Sequence, residues 1–146
     1  MYKVTKEFSF ECSHRLENHP AGCFNNHGHS YKLFITVACD QLDEGSMVID
    51  FQKLTSIINP VVKQFDHSYV YDCTTEDVIT KDIVEVFKKH GLCVTPMKGR
   101  VTAENMCKYF YDIAVQGLYT FMEGRPFKVS VKLYETAKSY AEYSED

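Results

Sequence analysis

Phe8-Ser9-Phe10-Glu11-Cys12-Ser13-His14 and, nine residues on, Cys23-Phe24-Asn25-Asn26-His27-Gly28-His29 are the two stretches whose reading decides the fold. In an extended strand side chains alternate between faces, so Phe8, Phe10, Cys12 and His14 share one face. His27 and His29 likewise point together, with Gly28 on the other side, and Tyr31, Leu33, Ile35 and Val37 continue their face. Paired as an antiparallel hairpin, the two strands bring three imidazoles together at the end of an apolar face. Three neutral histidines with a fourth position left open are the donor set of a catalytic zinc site. Cys23, four residues before His27, places a thiol beside them. A closed, structural set is the rival arrangement, because Cys12 lies on the face of His14 and would add a thiolate to the three imidazoles.

Outward from this hairpin, residues 3–14 and 27–39 read as long strands whose opposite faces are polar, with Ser9, Glu11 and Ser13 on one and Ser30, Lys32 and Thr36 on the other. Phe34 is the one bulky exception. A sheet with one apolar and one polar face is covered by helices on one side and meets water on the other. Asp50 is a candidate N-cap, and Phe51, Leu54, Ile58, Val61 and Phe65 recur at helical spacing through about Gln64, with Pro60 expected to kink or divide the helix.

Asp66-His67 follows the helix, where a histidine can also simply face the helix dipole. Thr74 to Asp77 reads as the start of a second helix. Val78, Ile79, Ile83, Val86 and Phe87 form its expected apolar stripe and Gly91 its stop, a stretch whose role is packing. Leu92-Cys93-Val94 is a candidate short strand before Pro96. A third helix runs from near Thr102 to about Met122 and is broken by Gly124-Arg125-Pro126. Phe127, Val129, Val131, Leu133 and Glu135 then share one strand face, and Ser139–Tyr143 can form a last strand. Glu135, in line with four apolar residues, must pair with a cation or receive a ligand rich in donors, because a buried lone charge is costly.

With 146 residues, 45% of them hydrophobic and 25% charged, the chain has the length and balance of one globular domain spanning 1–146. No apolar run reaches the length of a membrane span and the N-terminus lacks a signal-peptide core. A net charge of −4 argues against nucleic acid as a partner. The six cysteines are irregularly spaced, which favours a reducing cytoplasm over a disulfide framework.

The ordered set of motifs resembles the 6-pyruvoyl-tetrahydropterin synthase superfamily. It comprises F-x-F-x-x-x-H, C-x-x-x-H-G-H, Gly45 to Phe51, Asp66-His67, Thr102-Ala103-Glu104-Asn105 and Tyr134-Glu135-Thr136. The resemblance implies an α+β tunnelling fold: a four-stranded antiparallel sheet with helices packed on one face, three sheets closing a barrel and two trimers stacking as a homo-hexamer. It implies zinc on His14, His27 and His29, and a small-molecule substrate, 7,8-dihydroneopterin triphosphate.

Cys23 would be the base that takes a carbon-bound proton, and Asp66 with His67 the pair that moves protons on the other side of the substrate side chain. Glu135 would anchor the pterin, with Thr102 and Glu104 nearby, although Glu104 also reads as an ordinary first-turn acid. Arg15, Lys98, Arg100 and Lys128 are triphosphate candidates by charge alone. The three-residue gap between Cys23 and His27 resembles the bacterial carboxy-pterin branch, which releases acetaldehyde and triphosphate on the route to queuosine and other deazapurines. The pyruvoyl branch, with its longer gap, is the alternative enzyme, and a non-catalytic zinc-stabilised module the alternative of another class. One departure from the family pattern is Arg100-Val101, where Asn-Pro is usual before the Thr-x-Glu motif.

Overall fold

The structure is a computed structural model, and its described residues are 1–145. The hairpin forms as the alternation requires. β1 (Tyr2–His14) and β2 (His27–Cys39) pair antiparallel along their whole length, from Tyr2 opposite Cys39 to His14 opposite His27. Phe8, Phe10, Cys12 and His14 are buried on one face of β1, and Tyr31, Leu33, Ile35 and Val37 on the same face of β2.

Helix α1 (Phe51–Phe65) starts at Asp50, whose carboxylate accepts the Gln52 amide, and buries Leu54, Ile58, Val62 and Phe65. It passes through Pro60 undivided. The carbonyl that loses its partner there belongs to exposed Ser56, within reach of water. Helix α3 (Ala103–Phe121) buries Met106, Phe110, Ala114 and Leu118 on the same side of the sheet. Phe10, Phe65 and Phe110 meet at ring-centroid distances of 5.2–5.8 Å, so β1, α1 and α3 share one core.

Among the described residues the sheet has six strands, not four, in the order β4-β3-β1-β2-β5-β6. The expected antiparallel four are present as β1, β2, β5 (Lys128–Thr136) and β6 (Ser139–Ser144). β3 (Ser68–Asp72) adds in parallel at Cys12 and Ser13 of β1, and β4 (Val94–Met97) in parallel beside β3. β4 lies two to three residues later than the expected strand and takes in Pro96, which is tolerated because β4 is an edge.

Nor do all helices cover one face. Val70 of β3 faces the core shared by α1 and α3, whereas Tyr69 packs on Phe87 of α2 (Val78–Lys89), with ring centroids 5.7 Å apart. α2 therefore lies over the opposite side of the sheet. Its apolar stripe is also not the one expected. Val78, Ile79 and Val86 are exposed, and Thr80 and Val84 are buried. The helix turns its polar Thr80 inward because Asp77 and Arg15 bind that hydroxyl. No helix among the described residues is long and apolar enough to cross a membrane.

Candidate metal centre and surrounding site

His14 closes β1 and His27 opens β2, so the register alone sets the two rings face to face, with His29 one pleat further on. Ring centroids of the three lie 4.6–5.2 Å apart, and one nitrogen from each falls within 4.8 Å of the others. Two of the tautomers are fixed by main-chain acceptors. His14 Nδ1 donates to the Val101 carbonyl at 2.8 Å and His27 Nδ1 to the Asn25 carbonyl at 2.9 Å. A neutral ring protonated at Nδ1 carries its lone pair on Nε2. His14 Nε2 and His27 Nε2 nevertheless stand 3.1 Å apart. Two lone pairs at that distance repel unless a cation lies between or beside them. A tetrahedral ion with metal–nitrogen bonds of about 2.0–2.1 Å would set its ligand atoms roughly 3.3 Å apart, which this pair nearly matches.

Burial favours the neutral, ligating form of His14 and of His29. It lowers the His14 pKa to about 4; the hydrogen bond to Val101 opposes the shift and the neighbouring imidazoles add to it. Burial also lowers that of His29, against the pull of Glu135. Tyr31 lies edge-on beneath His14 and His29, and its buried hydroxyl has no partner among the described residues. Sequence patterning read Tyr31 only as a core residue. The alternative closed site does not form, because Cys12 stands outside the cluster. Burial, with Asp66, Glu11 and Glu135 nearby, pushes its thiol up to about 12, away from the thiolate a metal would need.

Glu135 comes to the edge of this centre, with Oε1 3.5 Å from the buried His29 Nε2. Thr102 caps α3, its hydroxyl accepting the Asn105 amide, and it follows the Val101 carbonyl that orients His14. Glu104 is exposed in the first turn of α3 and lies outside the histidine cluster. Cys23 is half-buried on a short 3-10 turn (Gly22–Phe24) within the loop that joins His14 at the end of β1 to His27 at the start of β2.

Asp66 and His67 are held together but open elsewhere. Asp66 accepts the Glu11 amide at 2.8 Å and His67 Nδ1 at 2.9 Å; the first and then the second hold its carboxyl below the usual range. His67 keeps a left-handed backbone (φ 56°) while its amide donates to the Glu11 carbonyl. His67 lines a groove of about 460 Å³ with Glu11, Ser13, Ser30, Phe87 and Leu92, on the polar face of the hairpin, and His29 also borders this groove. The three histidines look into the core face. Within one chain, the Asp66–His67 pair and the histidine cluster thus lie on opposite sides of the sheet.

Arg15 is no surface cation. Its side chain is 3% exposed and bonded to Asp77.

These features sit within a chain that belongs to the 6-pyruvoyl tetrahydropterin synthase family, whose match spans residues 3–146. It is 33% identical to a protein of Aquifex aeolicus over 99% of both chains, and 33% identical to one of Haemophilus influenzae over 99% of this chain and 100% of that one. Both relatives bear the name 6-carboxy-5,6,7,8-tetrahydropterin synthase. In fold it resembles the 6-pyruvoyltetrahydropterin synthases of Plasmodium vivax and Caenorhabditis elegans. The TM-scores are 0.77 and 0.66, at 16% and 22% identity, covering 99% of this chain and 98% and 96% of theirs.

Proposed function

We propose that this chain is a zinc-dependent 6-carboxy-5,6,7,8-tetrahydropterin synthase that converts 7,8-dihydroneopterin triphosphate into 6-carboxytetrahydropterin, acetaldehyde and triphosphate. The relatives of that name, matched end to end, support the activity. The observation that carries the metal is the pair of lone-pair nitrogens on His14 and His27, fixed 3.1 Å apart by two carbonyls. Zinc bound by His14, His27 and His29 would supply Lewis acidity toward the hydroxyls of the substrate side chain.

The protein's own groups do the rest. Cys23, as thiolate, takes a carbon-bound proton. Glu135 holds the pterin edge through two parallel charge-assisted hydrogen bonds, with Thr102 and Glu104 beside it at the start of α3. Asp66 orients the His67 imidazole, which can give or take a proton.

Because Asp66 and His67 open on the face away from their own histidine cluster, they serve the site of a neighbouring copy. The free edges fit that arrangement. Tyr2–Phe10 of β1 and all of β6 lack a partner on one side among the described residues. β6 runs antiparallel to β1, so β6 of one copy against β1 of the next continues the ladder and closes three sheets into a barrel. Two such trimers make the proposed homo-hexamer of a cytoplasmic enzyme in queuosine and deazapurine synthesis.

Incubating the zinc-loaded protein with dihydroneopterin triphosphate and identifying the products by mass spectrometry tests the reading. Carboxytetrahydropterin with acetaldehyde supports it. A pyruvoyl product assigns the other branch, and unchanged substrate assigns a non-catalytic zinc module.

A further inference from the structure

Helix α2 looks like packing in the sequence, yet its first turn holds the loop that carries Cys23. Arg15, immediately after the ligand His14, donates through Nη1 to Asp77 at 2.5 Å and to Thr80 Oγ1 at 2.9 Å, and through Nε to the Phe24 carbonyl at 3.0 Å. Its guanidinium carbon lies 4.8 Å from the centre of the Phe24 ring. Asp77 is the α2 N-cap, accepting the Thr80 amide as well. One residue on, the Leu16 amide donates to the Cys23 carbonyl at 2.7 Å, and Glu17 accepts the Thr75 hydroxyl just before the cap. The main chain immediately after the Cys23 thiol, at the carbonyls of residues 23 and 24, is therefore tied back to the end of β1, and from there to α2.

The geometry points to Arg15 and Asp77 as positioning residues that fix the Cys23 thiol relative to the histidine cluster; this rests on the base role proposed for Cys23. A loop ending held by one hydrogen bond would let the thiol wander. A planar fork that grips a carboxylate and hydroxyl on one side and a carbonyl and ring on the other removes that freedom, and only arginine supplies such a fork. Burying an ion pair carries a desolvation cost that surface packing would not require. That cost is borne at the one place where the loop, the metal-end strand and α2 meet. Neither partner touches substrate or metal in this account. They act through the loop.

The test uses zinc-loaded full-length protein carrying Arg15→Lys or Asp77→Asn, with three measurements on each. These are zinc content, the kcat and KM of the synthase reaction, and the rate at which iodoacetamide labels Cys23. Exposed Cys93 is the internal reference for labelling.

The expected result is one zinc per subunit, a Cys23-to-Cys93 labelling ratio changed several-fold, and kcat lowered about 10- to 100-fold with KM unchanged, the scale of a misplacement of up to 1 Å. A merely structural pair would lower the melting temperature and leave the labelling ratio and kcat of the folded protein as in wild type. That outcome overturns the inference. If both variants fail to fold, Phe24→Leu removes the stacked ring alone, and an unchanged labelling ratio in it is equally fatal. Should the wild-type chain make no pterin product, the functional reading falls, and the labelling ratio still decides whether Arg15 and Asp77 hold the loop.

Discussion

The Asp66 carboxylate accepts the amide of Glu11, a residue 55 positions earlier, and so ties the helix-to-strand corner to the outer edge of β1. The bond turns His67 toward the polar face of the sheet, away from the three histidines of its own chain. A shared active site makes a definite prediction. Cys23→Ala and Asp66→Ala should each fold and hold zinc, yet lose activity by about two to four orders of magnitude. Co-expressed, the two should regain activity, because random mixing around a ring pairs an intact Cys23 with a neighbour's intact Asp66 in about a quarter of sites. No recovery in mixed oligomers would mean that each site is built by one chain.

His27→Ala should abolish zinc binding and Cys12→Ala should leave it intact, as read by elemental analysis of the purified proteins. The thiol at 12 lies outside the donor cluster and resists ionisation. Zinc lost from the Cys12 variant would restore the closed, four-ligand arrangement.

Replacing Glu135 by Gln should weaken pterin binding by about 2–5 kcal/mol, since one partner of a desolvated charged contact is removed. Zinc content should not change. Titration calorimetry with a non-reactive pterin gives the number, and equal affinities would reduce Glu135 to a strand-end acid.

The low pKa of His14 sets a pH dependence for the metal-free protein. Its folded value, near 4, lies below the ordinary 6.5, so the unfolded chain binds the proton first as pH falls. Stability from this group is complete above about pH 6.5 and is lost progressively down to about pH 4, a change on the order of 3 kcal/mol. Urea unfolding of apo protein at a series of pH values measures it, and His14→Gln should flatten the curve in that window.

Gly117→Ala should destabilise the fold by about 1–3 kcal/mol, the usual range for overpacking. A methyl group on α3 at that position would lie 2.9 Å from Ile57 Cγ1 and 3.2 Å from Ile57 Cβ, on α1. Ile57→Ala should rescue the variant in thermal melts.

Much of this is legible in the sequence alone. Alternation in residues 8–14 and 27–37 dictates the hairpin, and a hairpin with its loop between His14 and His27 has no choice but to bring the imidazoles together. Helical spacing likewise foretold α1 and α3. Ser68–Asp72 escaped because the strand is five residues long and Ser68, Tyr69 and Val70 are all buried, so it carries no alternation to read. The buried face of α2 differs from the expected stripe because periodicity counts only apolar residues. Here a threonine faces inward to complete a hydrogen-bonded cluster, and Val78, Ile79 and Val86 stay outside. The burial of Arg15 is hidden for a related reason, as charge alone does not reveal an aspartate 62 positions away.

His14 takes its orientation from the carbonyl of residue 101, and every amino acid has that oxygen. Arg100-Val101 in place of Asn-Pro therefore leaves the support of the candidate ligand His14 untouched. A survey that scores side chains would record a lost motif where nothing has been lost. What must persist through divergence here is the path of the main chain into α3. An insertion or deletion between β4 and α3 should accordingly harm the metal centre more than any substitution at position 101 that keeps the path.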